Sequence, residues 1–255
     1  IRALDVDGAP ELKLGRFREL NEAARAYNAM IGALRSFQTY VPRALVGRLI
    51  GQEADTAIVS EEREVTVLFT DIIGFSTLAE NMSAVDLATL LNAHFTAIGQ
   101  CVEAEGGTID KYIGDSLMAF WGAPDRQSDH AARACNAARA IERALAITNQ
   151  ARCANGEGAV RLRIGIHSGK AVVGNIGSPS RINYTIVGDT VNIAERLEEL
   201  ARDEASEVAN TTVLISESTA EQLEGTDIAV LPLGARQLRG RHRPIDVFQL
   251  VVDEA

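Results

Sequence analysis

The chain has 255 residues, 46% of them hydrophobic, and a formal net charge of −10, enough for one large domain plus an appendage. The acidic balance argues against nonspecific binding of nucleic acid while leaving room for an anion at a local basic patch. No apolar run is long enough to span a membrane, and Cys101, Cys135 and Cys153 lack metal-site spacing, which points to reduced thiols in a cytoplasmic compartment serving as small core residues.

The chain starts at Ile1 without an initiator Met or a signal-like segment and reads as a fragment of a longer protein. Residues 11–37 are expected to be helical, with Phe17, Leu20, Ala24, Tyr27, Ile31 and Leu34 at alternating steps of three and four. That pattern makes either a short coiled-coil seam or one amphipathic helix packed on its own domain. Pro42 interrupts it, ALVGRLI begins a second short helix, and a polar, acidic connector over 51–63 leads to the main domain, 64–252.

That domain opens with VTVLFTDIIGF, Val65 to Phe75, which reads as a buried strand ending in Asp71. Ser83 to Glu105 carries Leu87, Leu90, Leu91, His94, Phe95, Ile98 and Val102 at helical spacing, His94 being a core or boundary residue and not a base. Two strand-like runs, TIDKYI and SLMAFW, flank Gly114-Asp115 and form a tight hairpin. A second long helix covers Asp129 to Arg152, and strands at Val160 to Ile166 and Ala171 to Gly174 are expected on either side of a His167-Ser168-Gly169 turn. Next comes a short strand, then Gly188 and a helix that Asp189 or Thr190 can cap. The acidic RDEASE segment, a strand TTVLIS, a short helix near Ser218 to Leu223 and closing strands at Ile228 to Leu238 and Ile245 to Val252 complete the chain. The order gives an α+β fold: a ferredoxin-like βαββαβ core with additional C-terminal strands and helices, preceded by an N-terminal helical segment.

Asp71 alone reads as a solvated strand end or a helix cap. A hairpin tip beside that strand end would bring Asp115 next to it, and two converging carboxylates repel unless a cation lies between them. Magnesium is held in this way in phosphate chemistry, with substrate oxygens completing the shell. Asn192 and Arg196, four apart on one helix face, suit a ribose oxygen and a phosphate. Arg236, Arg239, Arg241, His242 and Arg243 form the basic patch. His167 and Ser168 are not a nucleophilic pair, because neighbours on an extended chain point apart and no acidic orienting partner is apparent.

The segments FTDIIGF, DKYIGDSLMAFWG, IGIHSGKAVVGNIG, YTIVGDTVNIAERLE and QLRGRHRPIDVFQL resemble the catalytic domain of class III nucleotidyl cyclases, adenylyl cyclases in particular, over Glu64 to Val252. The resemblance implies that ATP is converted to 3′,5′-cyclic AMP and pyrophosphate. It implies that Asp71 and Asp115, with the Ile72 carbonyl, hold two Mg²⁺ or Mn²⁺ ions per active site, and that the amides of Ile73, Gly74 and Phe75 help bind the triphosphate. Arg196 would stabilise charge on the α-phosphate, Asn192 would orient the ribose, and Arg241, with Arg239 as the alternative, would bind the outer phosphates. Lys111 and Thr185 would meet the purine edge: adenine has an acceptor at N1 and a donor at N6, whereas GTP-selective relatives usually carry Glu and a small residue there.

Thr185 also resembles the branch of the family often stimulated by bicarbonate. The resemblance implies that the metal-binding residues come from one subunit and Lys111, Thr185, Asn192 and Arg196 from the other, and hence a homodimer with two shared sites. The stretch GRFRELNEAARAYNAMIGALRSF is similar to the closing helix of a HAMP signalling module. Residues 1–50 would then be signalling helices beneath an upstream sensor or membrane region, and the domain a cytoplasmic part of a membrane-anchored protein. The alternatives are a guanylyl or diguanylate cyclase, though a GGDEF-type hairpin is absent from the IGDS tip, and a catalytically silent nucleotide-binding signalling module.

Overall fold

The computed structural model describes residues 8–15, 17–38, 60–178, 180–202, 204, 209–241 and 243–252. Pro42, the expected helix at 44–50, the connector up to residue 59, residues 203 and 205–207 of the acidic segment and His242 lie outside them. Two compact units divide the chain, residues 1–59 and 60–255.

In the first unit, α1 runs Arg18–Gln38, so the helix begins later than the residue 11 expected. The reason is local: Pro10 and Gly15 disfavour a helix, and residues 9–15 lie along α1 instead. Asn28 accepts from the Leu12 amide at 2.9 Å and donates to its carbonyl at 3.0 Å. Asn21 does the same for Gly15 at 2.7 and 2.9 Å, and Arg35 donates to the Ala9 carbonyl at 2.7 Å. Of the expected seam, Ala24 and Ile31 are buried while Phe17 and Leu20 are exposed.

The second unit starts with β1, Glu61–Ile72, so Glu61 to Arg63, expected in the connector, are strand. There follow α2 Phe75–Glu80, α3 Ala84–Ala104, β2 Thr108–Ile113, β3 Ser116–Trp121, α4 His130–Ala154, β4 Leu162–Ser178, β5 Arg181–Val187 and α5 Asp189–Leu200. The last elements are β6 Thr211–Ser216, α6 Glu217–Glu221, β7 Val230–Arg236 and β8 Ile245–Leu250. The strands form one sheet in the order β2-β3-β1-β4-β6-β8-β7, with β5 paired to β4. Each neighbouring pair among its first four strands is antiparallel, which is the ferredoxin-like core the element order predicts.

Expectations about the His167–Gly169 turn and the cysteines fail in this unit. No turn interrupts His167 to Gly169, because β4 is a single strand of 17 residues; its first half pairs with β1 and β6 and its second half with β5. The glycines read as a turn serve close packing: Gly169 lies under the Thr190 side chain. Cys135 is buried as expected, but Cys153 is exposed and Cys101 half-buried.

Alternation along the strands gives the sheet two apolar faces. Leu68, Ile72, Leu117, Trp121, Leu162 and Ile164 pack with Ile98 and Val102 of α3 and Ala134, Cys135, Ala138 and Ile141 of α4. On the opposite face Ile193, Leu197 and Ala201 of the α5 segment pack with Leu214, Leu238 and Val247. Helix α5 comes down on Gly165, where a Cβ would stand 2.3 Å from both the Ala194 carbonyl oxygen and the Glu198 amide nitrogen. Backbone cannot yield as a flexible side chain does. Replacing Gly165 by Ala should therefore lower the melting temperature by about 5 °C, the scale of 1–3 kcal/mol of overpacking, and a thermal melt matching the wild type would refute the tight contact.

Candidate active site

Three groups of functional side chains are assembled. The first lies where β1 ends. Buried Val65, Val67 and Leu68 anchor the strand, and alternation then sends Asp71 to the same face as Phe69, toward α5. Asp115 occupies a two-residue hairpin loop closed by the Ile113–Ser116 pair, with Gly114 at φ 64° in the first central position, as a type II′ turn requires. The turn directs Asp115 back to β1, where its carboxylate accepts from the Ile72 amide at 3.1 Å. Ser116 donates to Asp71 at 3.1 Å. Burial, and next the charge of Asp71, raise the pKa of Asp115, as expected of two carboxylates brought together.

Asp71, Ile72, Ile73, Gly74, Phe75 and Asp115 all line one cleft of about 470 Å³. Sequence reasoning missed two of its other residues, Arg163 and Arg202. Arg163 lies opposite Asp71 in the β1–β4 register and its guanidinium contacts the Asp71 carboxylate. Arg163 Nε also lies 3.0 Å from Glu198 Oε1 of α5. A charged residue alternating with Leu162 and Ile164 in a buried strand was the available signal. Among the described residues no group of three or more His, Cys, Asp or Glu could hold a metal, so a cation here would have to rely on two carboxylates, a carbonyl and substrate oxygens. That donor set is hard and oxygen-only, and it fits Mg²⁺ or Mn²⁺. The raised pKa of Asp115 is the imbalance that a bound cation would relieve.

The second group joins β2 to β5. Lys111 Nζ donates to Thr185 Oγ1 at 3.4 Å, so two residues expected to meet at one purine edge touch within one chain. Asp110, which the sequence reading passed over, accepts from the Thr185 hydroxyl at 2.8 Å and lies 3.2 Å from the Lys111 ammonium.

The third group surrounds the start of α5. Gly188 is the N-cap, without a side-chain hydrogen bond, so neither Asp189 nor Thr190 caps the helix. Thr190 donates instead to the Lys170 carbonyl at 2.6 Å, and Asp189 pairs with Arg241 at 3.0 Å. Asn192 is exposed and Arg196 half-buried. A Cβ on Gly240 would stand 3.3 Å from Arg196 Nη2, which places the guanidinium against the β7–β8 loop that carries Arg239 and Arg241.

Among the described residues no hydrogen bond or ion pair joins the first group to the third. Arg241 and Asp189 act electrostatically on His167, whereas Asp71 pairs with Arg163; these two positions are four residues apart on β4, about 13 Å. His167 and Ser168 do not form a pair. The Nδ1 of His167 shares a hydrogen bond with Ser216 Oγ at 2.7 Å, and burial, then Arg241, bring the His167 pKa down to about 4. Ser168 points the other way, 2.7 Å from Thr66 Oγ1. His94 is likewise held neutral by burial, its pKa lowered to about 4.

Residues 58–251 match the family of adenylate and guanylate cyclase catalytic domains, and the chain belongs to that family. It is 35% identical over 251 residues to adenylate cyclase 1 of Rhizobium meliloti, covering 98% of this chain and 37% of the relative. The adenylyl cyclase CyaB from P. aeruginosa is 33% identical in its crystal structure, with a TM-score of 0.70 over 77% of this chain and 97% of that one. The guanylyl cyclase Cya2 is 31% identical, with a TM-score of 0.66 over 75% of this chain and 93% of that one. The chain spans 37% to 44% of the length of curated relatives.

The Arg163 contact extends to a group with an unusual titration. Burial raises the pKa of Glu198 from 4.5 to about 7, against the opposing charge of Arg163. The folded value lies above the unfolded one, so the folded state binds the extra proton. That stabilisation is complete below the unfolded pKa, about 4.5, and is lost as pH rises through about 7. Glu198→Gln has no such proton, and its melting temperature relative to wild type should rise between about pH 5 and about pH 8. A constant difference across that window would refute the shift.

Proposed function

We propose that the chain is the catalytic part of an adenylyl cyclase, converting ATP to 3′,5′-cyclic AMP and pyrophosphate at two equivalent sites shared by a homodimer. The 3′-hydroxyl loses its proton and attacks the α-phosphorus as pyrophosphate departs in line, so the protein's task is positioning and charge stabilisation. Asp71, Asp115 and the Ile72 carbonyl would hold two Mg²⁺ or Mn²⁺ ions, which supply acidification of the hydroxyl and neutralisation of the triphosphate. Arg163 keeps the Asp71 carboxylate facing the cleft, and the backbone of Ile73, Gly74 and Phe75 lines the place where phosphate oxygens would enter. From the other chain, Arg196 meets the charge growing on the α-phosphate, Asn192 orients the ribose and Arg241, with Arg239 beside it, binds the outer phosphates.

The observation that carries the choice of ATP is the Lys111–Thr185 contact. An ammonium donates to adenine N1 and a hydroxyl oxygen can accept from its 6-amino group, whereas guanine offers a donor and a carbonyl at those positions. Product analysis with ATP and with GTP, in Mg²⁺ or Mn²⁺, tests the reading directly. Cyclic AMP is the expected product, and a preference for GTP would transfer the reading to a guanylyl cyclase, the activity named for Cya2. Asp115→Asn should abolish turnover under either metal, and Arg196→Ala should lower kcat about a hundred- to a thousandfold.

Shared sites are favoured by the separation of the carboxylate group from Arg241 and Asp189 within one chain. Each chain carries both halves, and an isologous two-fold pair is the commonest closed arrangement. The resemblance of Thr185 to the bicarbonate-stimulated branch carries the proposal of bicarbonate activation, and α1 that of a HAMP-like helix relaying a signal from an upstream sensor or membrane anchor. A mixture of Asp71→Ala chains with Arg196→Ala chains should regain activity, because one site of each heterodimer is intact. Absence of recovery with heterodimers present would refute the shared site.

A further inference from the structure

The hydrogen bonds around Thr185 contain more than the purine contact already assigned, and their bearing on base choice rests on the adenylyl cyclase reading of the chain. In the β2–β3 ladder Ile109 pairs with Ala119 and Lys111 with Met118, leaving Asp110 as the extra residue of a bulge. Consecutive strand residues normally face opposite sides of a sheet, but a bulge re-aims a side chain. Here it lets both Asp110 and Lys111 reach the same hydroxyl on β5. The Asp110 side chain is only 2% exposed. A carboxylate buried so deeply is costly unless its partners hold it in place; burial raises its pKa, while the Thr185 hydrogen bond and the Lys111 ammonium pull it back.

A hydroxyl has one proton and two lone pairs, and an ionised carboxylate only accepts. The Thr185 proton is therefore committed to Asp110, and Lys111 occupies one lone pair. The lone pair that remains can accept but the group can no longer donate. Adenine presents a 6-amino donor to such an oxygen. Guanine presents a carbonyl, which would face oxygen against oxygen with no proton between them.

We propose that Asp110 is a positioning residue for purine choice: by taking the Thr185 proton it fixes that hydroxyl as an acceptor for the 6-amino group of adenine. Asp110 touches no reacting atom, and its effect passes through Thr185. In Asp110→Asn the side-chain amide can turn either its oxygen or its nitrogen to the hydroxyl, so the direction of the Thr185 proton is no longer set.

The test compares kcat/KM of the full chain, with Mg²⁺, for ATP, for GTP and for purine riboside triphosphate, which lacks the 6-amino group. Wild type should prefer ATP over purine riboside triphosphate by about tenfold, the scale of one well-placed hydrogen bond. Asp110→Asn should lower that ratio several-fold and raise turnover of GTP relative to ATP. Thr185→Val should collapse the same ratio, and adding Asp110→Asn to it should change nothing further. A wild-type ratio retained by folded Asp110→Asn, or additive effects in the double variant, would overturn the proposal. Should Asp110→Asn melt below the assay temperature, Asp110→Ser is read by the same ratio. If neither variant folds, the role of Asp110 is structural and the proposal falls. A wild type that prefers GTP overturns the adenylyl reading and this inference together, whereas an ATP-preferring wild type with an unmoved variant overturns this inference alone.

Discussion

Asp71 and Asp115 are close enough that the charge of the first raises the pKa of the second, an unfavourable contact that persists only because the surrounding structure outweighs it. Three local devices do so. The Ile72 amide hydrogen-bonds Asp115, the Ser116 hydroxyl hydrogen-bonds Asp71, and the Arg163 guanidinium faces Asp71 across the β1–β4 ladder. Each device depends on a different part of the fold: the strand end, the hairpin turn and the strand register. A slip of one residue between β1 and β4 would send Arg163 to the opposite face of the sheet and leave the carboxylates without their nearest positive charge. The apolar residues that fix the register, Leu68 and Ile164 among them, thereby also fix the electrostatics of the cleft.

Arg163 also ties this edge to α5. Its Nε lies near Glu198, and Glu198 can come so near only because the helix backbone rests on Gly165. The same helix carries Asn192 and Arg196 on its more exposed side. A single 12-residue helix thus supports the carboxylate edge with one side chain and presents the residues proposed for the transition state with others. Asn192 and Glu198 are separated by about 9 Å along the axis, which keeps the two duties apart while the rigid helix holds their spacing.

Much of this was legible in the sequence because it was written in local signals. The buried strand before Asp71, the Gly-Asp hairpin, the two long helices and the closing strands follow from periodicity and turn chemistry. What escaped depended on partners distant in the chain. Gly169 has the composition of a turn residue, yet β4 passes straight through it, because glycine there and at Gly165 makes room for α5 and its first turn. Asp189 and Thr190 look like helix caps and are drawn to Arg241 and the Lys170 carbonyl instead. Asp110 gave no signal, since a bulge cannot be read from residue types alone. Within the first unit, Asn21 and Asn28 pair with backbone that composition alone would have joined to the helix.

Three of the charges proposed to act on substrate already have counter-ions inside the chain: Arg163 for Asp71, Asp189 for Arg241 and Asp110 for Lys111. The pairs are not equivalent. Arg241 and Asp189 are 30% and 65% exposed, and an ion pair so wet contributes about 0–1 kcal/mol, so a triphosphate can take Arg241 from Asp189 at little cost. Arg163 and Asp71 are only 8% and 21% exposed, and separating a pair with so little water around it costs more, because each charge is left poorly compensated. A cation at Asp71 would accordingly be accommodated beside Arg163 rather than in place of it, through the carboxylate's other lone pairs. Asp110 is buried while Lys111 is 43% exposed, and an ammonium has three donors, so Lys111 can meet a base while keeping its contacts to Asp110 and Thr185. On the shared-site arrangement, these differences leave the carboxylate half of each chain fixed before substrate arrives and the phosphate-binding half free to close onto it.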